Sequence, residues 1–209
     1  MKRSSLGVAA LCFLSFQLVA CQHGAVAPSQ NRHASSFGFE AEIPTEWHAL
    51  PASDLPEIGV EEPSGALANI DPDLLADFSR AIQSGEVEVF YRPNPAVLGF
   101  TDNVSVRSTP GGLPANEEDV LASCEVLAQT LSAAYGRPVT LSVCELREVA
   151  SQRSLYVEAS GAVEGVHSMQ YLIDADGGKL LIVTATAITD TLPDLRSELD
   201  SMVGSLELE

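Results

Sequence analysis

The sequence predicts an α+β domain in which helices pack on an antiparallel β-sheet. Segments with strand and helix periodicity follow one another in the order strands, helix, strands, helix. The second group of strands has four members with short connections, which is typical of an antiparallel meander. The run LLIVTATAI at residues 180–188 is apolar or small on both faces, and it therefore predicts a central strand covered on both sides.

The first half of the chain predicts three strands and one helix. Apolar residues alternate in FGFEAEIP at residues 37–44, which predicts an opening strand that the proline ends. Residues 71–85 predict a helix, because Asp-Pro begins the segment, apolar residues recur at helical spacing and glycine ends it. Two short strands are predicted at residues 87–91 and 104–106.

The second half predicts a long helix, the four strands of the meander and a closing helix. Asn116 is a good N-cap for the long helix, and Gly136 can end it. Apolar residues at helical spacing predict the closing helix within residues 192–208. The predicted strands of the meander are 139–149, 154–161, 166–173 and 180–188.

Residues 1–20 have the features of a signal peptide. Lys2 and Arg3 provide the positive start, and residues 6–20 are almost wholly apolar or small. The apolar run is shorter than the about 20 residues that a membrane-spanning helix needs, although an uncleaved N-terminal anchor is the alternative.

Two further segments complete the predicted organisation. Residues 21–36 contain a cysteine followed by polar and small residues without apolar periodicity, which predicts a lipidated cysteine and a flexible tether. Residues 37–209 have the length of a single domain.

The end of the signal peptide, Leu18-Val19-Ala20-Cys21, resembles the bacterial lipobox. This resemblance implies that Cys21 becomes the lipidated first residue of the mature protein. Its two or three acyl chains would anchor the protein stably to a membrane. Gln22 follows instead of aspartate, which by the same resemblance implies the outer membrane, with the protein facing the periplasm.

The charge of the chain narrows the choice of partners. The formal net charge is −18, and removing residues 1–20 takes away Lys2 and Arg3 and no acid, leaving 9 basic and 29 acidic residues, or −20. We therefore expect no nucleic-acid binding, which needs a basic footprint, and no direct adhesion to anionic lipid. Such acidity favours cationic partners or loosely held divalent ions, or it serves only solubility.

Two cysteines, Cys124 and Cys144, remain for the folded domain. Outside the cytoplasm such a pair often forms a disulfide. Strict strand alternation, however, turns Cys144 away from Leu141 and Val143, whereas Cys124 lies on the apolar face of its helix. The sequence leaves both states open, because the geometry decides.

The sequence contains no recognisable catalytic or metal-binding pattern. His23 and His33 fall in the predicted tether, His48 in a loop and His167 on a strand, each without an indicated acid, base or nucleophile partner. No phosphate loop, nucleophile elbow or zinc spacing is present. We therefore expect no enzyme activity, no metal site and no cofactor.

Three residues are candidates for a partner contact. Trp47 follows the proline that ends the opening strand, and it can either anchor an interface or pack in the core. Asp102 and Asn103 precede a short strand, where they can contact a partner or hydrogen-bond the backbone.

Four motifs in order resemble the PsbP-like and Mog-like superfamily, over nearly all of residues 37–209. They are Ile43-Pro44 with Trp47, Phe100-Thr101-Asp102-Asn103 before the strand at 104–106, the apolar strand 180–187 and the closing MVGSLEL. The resemblance implies a twisted antiparallel sheet between helices, an α/β/α sandwich. It also implies a protein that binds or assists other proteins, since members of this superfamily are mostly photosystem subunits, a Ran-binding factor, chaperones and envelope lipoproteins.

The sequence as a whole therefore predicts a lipid-anchored, non-enzymatic envelope protein that binds a protein partner or assists an assembly. The alternative is a carrier of a small ligand or lipid, because a sheet covered by helices can open an apolar pocket.

Overall fold

The computed structural model describes residues 32–50, 80–92, 102–175 and 177–208. Within them lie two long helices, α1 (Glu117–Tyr135) and α2 (Leu192–Gly204). The strands are β1 (Arg32–Ser35), β2 (Phe39–Glu42), β3 (His48–Ala49), β4 (Glu88–Tyr91), β5 (Asn103–Pro110), β6 (Thr140–Val149), β7 (Gln152–Ser160), β8 (Val166–Ala175), β9 (Lys179–Ile188) and β10 (Glu207–Leu208).

Seven strands form the main sheet, in the order β3-β4-β5-β9-β8-β7-β6, and all neighbours are antiparallel. The predicted meander is confirmed, because β6, β7, β8 and β9 pair in sequence order. Strand β9 is central, and residues 180–187 are all buried. The apolar run thus occupies the position covered on both sides that its composition predicted.

The two helices cover opposite faces of the main sheet. Alternate residues of β7 show this, since Leu155 and Val157 belong to the cluster formed with α1, whereas Tyr156 between them packs with α2. Because side chains alternate across a strand, the helices must lie on different sides. The α+β class and the sheet between helices are confirmed.

Helix α1 begins and ends at the predicted residues. The side chain of Asn116 accepts a hydrogen bond from the backbone N–H of Asp119 at 3.0 Å. Gly136 ends the helix with φ 62°, a left-handed conformation that glycine adopts without a steric penalty.

A second sheet has three strands, in the order β1-β2-β10. Phe39 and Ala41 of β2 are fully buried against the α2 side of the core. The predicted tether is wrong from Arg32 onward, because Arg32–Ser35 pair with β2. The burial pattern of β1 alternates between exposed and half-buried residues, so its polar composition hid a strand that lies on the surface.

Strand β6 contains a bulge that changes which of its residues share a face. The pairing with β7 shifts between Leu141 and Val143, so Ser142 is the extra residue. Leu141 and Cys144 consequently pack on the α1 side, whereas Val143 packs on the α2 side. Strict alternation predicted Leu141 and Val143 on one face, and the bulge makes that expectation wrong.

Only the last turn of the helix predicted at residues 71–85 falls within the described residues, where residues 80–83 are helical. The signal peptide and Cys21 lie outside those residues. In the part of the chain that the structure describes, no helix is both long enough and apolar enough to cross a membrane.

Candidate functional site

Two of the three candidate contact residues meet in one network beside α2. The indole Nε1 of Trp47 donates to Glu198 of α2 at 2.8 Å, and Arg92 donates to the other oxygen of Glu198 at 2.8 Å. Arg92 also pairs with Asp102 at 2.5 Å, and Asp102 accepts from the hydroxyl of Thr191 at 2.7 Å. The guanidinium of Arg92 lies 5.6 Å from the Trp47 ring centroid, within range of a cation–π contact.

Trp47 and Asp102 are the buried members of this network, whereas Arg92, Thr191 and Glu198 are half-buried. Trp47 is 7% exposed and Asp102 is 2% exposed, so a partner would reach either side chain only after the surrounding chain moved. Of the two alternatives for Trp47, the structure places the side chain in the core. Asp102 binds the side chains of Arg92 and Thr191, and not only backbone groups as the local pattern suggested.

Asn103 does not join this network, because it lies on the opposite face of β5. It pairs with Thr186 of β9, which pairs in turn with Ser168 of β8. The neighbouring row of the sheet contains Ser105, Thr184 and Gln170, and all six residues are buried. The middle of the α1 side of the sheet is therefore polar, which no periodicity in the sequence indicated.

A small cleft adjoins Trp47. It has about 210 Å³ of empty space, including space open to solvent. The lining residues are Ile43, Pro44, Trp47, Phe90, Val104, Glu198, Leu199 and Met202. Only about 10 Å³ of this space can hold the centre of a water-sized sphere, whereas ligand pockets usually measure about 300–1,000 Å³, so the cleft is too small for a drug-sized ligand.

A second polar network joins the meander to α2. Tyr156 donates to Glu158 at 2.6 Å, and Arg196 of α2 binds the same carboxylate through two nitrogens at 3.0 and 2.9 Å. Tyr171 donates to Asp200 of α2 at 2.7 Å.

Arg147 covers the two tyrosines of this network. Its guanidinium lies 3.7 Å from the ring centroid of Tyr156 and donates to the Tyr171 hydroxyl at 3.4 Å. Burial, and then the hydrogen bond to Asp200, raise the pKa of Tyr171 to about 12, against the opposing effect of Arg147. The network thus holds its tyrosines neutral, and it fixes α2 on the sheet.

The histidines also take positions that the sequence did not predict fully. His33 lies in β1, where its Nε2 is 3.1 Å from the carboxylate of Glu88 and its ring is edge-on to Phe90. His167 is 3.1 Å from the hydroxyl of Thr189. Among the described residues no three His, Cys, Asp or Glu side chains are grouped so as to hold a metal ion.

The structure pairs Cys124 of α1 with Cys144 of β6 in a disulfide. The Cα atoms are 6.2 Å apart, within the range that a disulfide spans. The bulge at Ser142 makes this pairing possible, because it turns Cys144 toward α1. The bond fixes α1 beside the outermost strand of the main sheet.

That outermost strand, β6, offers an open edge. It pairs with β7 on one side, and on its other side none of the described strands pairs with it. We call residues 143–149, where the pairing with β7 is regular, the β6 edge. The opposite end of the main sheet, β3, is only two residues long.

Helix α1 has exposed apolar and acidic side chains on its surface away from the sheet. Leu121 is 71% exposed and Val126 is 45% exposed, and they are the two large apolar side chains found exposed among the described residues. The helix carries the acids Glu117, Glu118, Asp119 and Glu125 and no basic residue. An apolar side chain with such high exposure gains free energy when a partner covers it.

Comparisons with known proteins support the fold. No protein-family model matches the sequence, and no curated protein matches it in sequence. The solution structure of the cyanobacterial PsbP protein, CyanoP, from Synechocystis sp. PCC 6803 superimposes with a TM-score of 0.53 at 16% identity. The match covers 91% of this chain and 99% of that protein. The chain has a PsbP-like fold.

Two further structures resemble the chain more distantly. The Ran-binding protein Mog1p of Saccharomyces cerevisiae has a TM-score of 0.47 at 11% identity, covering 86% of this chain and 96% of Mog1p. LpqN of Mycobacterium tuberculosis, involved in cell envelope biogenesis, has a TM-score of 0.45 at 12% identity, covering 81% of this chain and 82% of LpqN.

Proposed function

We propose that this protein is a lipid-anchored envelope protein that binds a protein partner and performs no catalysis. The observation that carries the proposal is the open β6 edge beside the exposed Leu121 of α1. Unpaired strand edges and exposed apolar side chains are the features through which folded domains bind other chains. The PsbP-like fold is consistent with such a role, because the superfamily consists largely of accessory and binding proteins.

The polar networks support binding in preference to chemistry. Arg92 is shared by Asp102 and Glu198, and Arg196 is held by both oxygens of Glu158. Among the described residues, these charged groups form hydrogen bonds with one another, and the bonds join α2 to the sheet. Their role is therefore structural. A catalytic acid or base needs a proton acceptor or donor that faces a substrate.

The proposed anchor is Cys21, and β1 sets how far the domain can lie from the membrane. Ten residues, 22–31, separate Cys21 from Arg32, the first residue of β1. Even a fully extended segment of that length spans only about 35 Å. The small sheet packs on the α2 side of the main sheet, so the anchor would join the domain on the side opposite α1. Helix α1 would then be free to meet a partner.

Two experiments test this proposal. Palmitate labelling should mark the wild-type protein and not the variant Cys21→Ala, and labelling of the variant would contradict the anchor. Chemical crosslinking on intact envelopes, followed by purification and mass spectrometry, should enrich the same partner in repeated preparations. Failure to enrich any partner, with the protein itself recovered, would contradict partner binding.

The alternative carrier function gains no support from the cleft beside Trp47. The cleft is small for a ligand, and Glu198 at its wall is already bound by Trp47 and Arg92. We therefore propose one function only.

A further inference from the structure

We propose that the partner adds an extended segment to the β6 edge, and that this segment alternates apolar residues with lysine or arginine. The inference rests on the proposed partner binding and specifies its surface and its chemistry. In this mode of recognition main-chain hydrogen bonds supply affinity, and side chains on alternate positions supply specificity.

The backbone of β6 is suited to this role. From Val143 to Val149 every residue has its regular partner in β7, from Glu158 to Gln152, without a further shift of register. Half of the backbone groups of an edge strand point outward, where a new strand can bind them. The bulge at Ser142 ends this regular region, so we expect pairing over residues 143–149.

Leu121 provides an apolar contact above this edge. It lies one helical turn before Cys124, on the same side of α1, because residues three apart are neighbours on a helix. Since Cys124 is bonded to Cys144 of β6, Leu121 is placed on the β6 side of the helix. An added strand would direct every second side chain toward α1, and the aliphatic stem of a lysine or arginine there would cover Leu121.

The charges around the edge select a cationic segment. Glu148, which lies opposite Arg153 of β7, is exposed on the α1 face of β6, and Glu118 and Glu125 are exposed on α1. Glu145 is exposed on the other face of β6, where it is paired with Arg147. The nearby Arg147 is held by Glu145, the Tyr171 hydroxyl and the Tyr156 ring. Lysine or arginine on the added strand would therefore meet carboxylates, whereas acidic residues would be repelled.

The same charges disfavour a second copy of this chain as the occupant. Each chain has a formal net charge of −18, so two copies joined at β6 would bring their acidic helices close together. Charged residues and a bulge are also the devices by which edge strands avoid pairing with themselves. The edge is thus open to a chain of opposite charge.

The test uses the purified protein and synthetic peptides as probes. One peptide alternates valine and lysine over the length of the β6 edge, a second has glutamate in place of lysine, and a third is the valine–lysine peptide with alternate amides N-methylated. We expect only the first to bind measurably by calorimetry. We also expect it to slow hydrogen exchange of backbone amides within residues 143–149, because a new strand binds them.

Matched variants locate the side-chain contacts. Leu121→Ala should weaken binding of the valine–lysine peptide about tenfold, since it removes most of a leucine side chain that the bound peptide covers. Val126→Ala makes a smaller change of the same kind about 140° around the helix axis from Leu121, away from β6, and should leave binding unchanged. Glu148→Lys should weaken binding by a similar factor, and by less at high salt. Circular dichroism should show that all three variants are folded.

Four results would overturn the inference. One is equal binding of the valine–glutamate or N-methylated peptide. Another is binding of the valine–lysine peptide without slower exchange in residues 143–149. The third is a dimer in light scattering whose β6 amides are protected, which would assign the edge to a second copy. A partner recovered by crosslinking whose binding leaves β6 exchange unchanged would overturn this inference and leave the proposed function standing.

Discussion

The carboxylate of Asp102 is paired at 2.5 Å with the guanidinium of Arg92, although only 2% of Asp102 is exposed. Arg92 extends the pair to Glu198 of α2, so the start of β5, the end of β4 and the closing helix are joined by one cation. Because both ions of the pair are largely removed from water, each depends on the other for compensation of its charge.

Replacing Arg92 should therefore destabilise the fold strongly. We expect Arg92→Met to lower the free energy of unfolding by about 3–5 kcal/mol, because Asp102 is left as a buried charge without its cation. Urea denaturation followed by circular dichroism measures this change. The control is Arg32→Met, which removes surface pairs with Glu40 and Glu207 and should cost far less, since exposed ion pairs contribute little to stability. Equal costs for the two variants would show that the buried pair has no special role.

The disulfide between Cys124 and Cys144 closes a loop of 20 residues in sequence separation. We expect the double variant Cys124→Ala and Cys144→Ala to be less stable by about 3 kcal/mol, because the bond restricts the unfolded chain. Denaturation with and without reductant measures the same quantity on the wild-type domain. Thiol titration of the unfolded, unreduced domain from residue 22 onward should find no free thiol. Two free thiols would show that the bond does not form.

The regular elements could be predicted from the sequence because each carries its own local signal. Asn116 and Gly136 marked the ends of α1, and the apolar run at residues 180–188 marked the central strand. Strand β1 carries no such signal, because its polar residues lie on the surface and pair with only one neighbour. Its existence depends on the tertiary position of β2.

The candidate site was less predictable, because its contacts connect distant positions in the chain. The position of Trp47 after Pro44 makes it a candidate, yet its partner Glu198 is 151 residues away, and no spacing rule links them. The orientation of Cys144 depends on a single extra residue, Ser142, in β6. The β6 edge itself is a property of strand order, which becomes visible only once the sheet is assembled.

Glu88 should make the stability of the fold sensitive to acid. Burial alone would raise its pKa, but hydrogen bonds from His33 and from the backbone and hydroxyl of Ser36 lower the pKa from 4.5 to about 2. A carboxyl with a lowered pKa stabilises the folded state above its unfolded pKa, and this contribution is lost as the pH falls from about 4.5 to about 2.

The variant Glu88→Gln tests this dependence. At neutral pH it should cost about 1.5–3 kcal/mol, because hydrogen bonds to a charged group are lost from the contact that joins β1 and β4. Below pH 4.5 the wild type should lose stability more steeply than the variant in urea denaturation at a series of pH values. Glu86→Gln, at an exposed position two residues earlier, is the control and should follow the wild type. Parallel pH profiles for wild type and Glu88→Gln would contradict the assignment.

Ionisation of Tyr171 should lower the stability of the fold at alkaline pH. Burial and the hydrogen bond to Asp200 raise its pKa to about 12, so the folded state disfavours the phenolate. The stabilisation is complete below the unfolded tyrosine pKa of about 10 and is lost as the pH rises toward 12.

Near-ultraviolet absorbance can follow this ionisation, because phenolate absorbs at longer wavelength than phenol. The chain has four tyrosines, and Tyr171→Phe should remove one from the phase that titrates above the ordinary pKa of tyrosine. The variant should also lose about 1 kcal/mol at neutral pH, since Asp200 and Arg147 each lose the Tyr171 hydroxyl as a hydrogen-bond partner. If Tyr171→Phe removes absorbance from the early phase instead, α2 does not hold the Tyr171 hydroxyl in the protonated form.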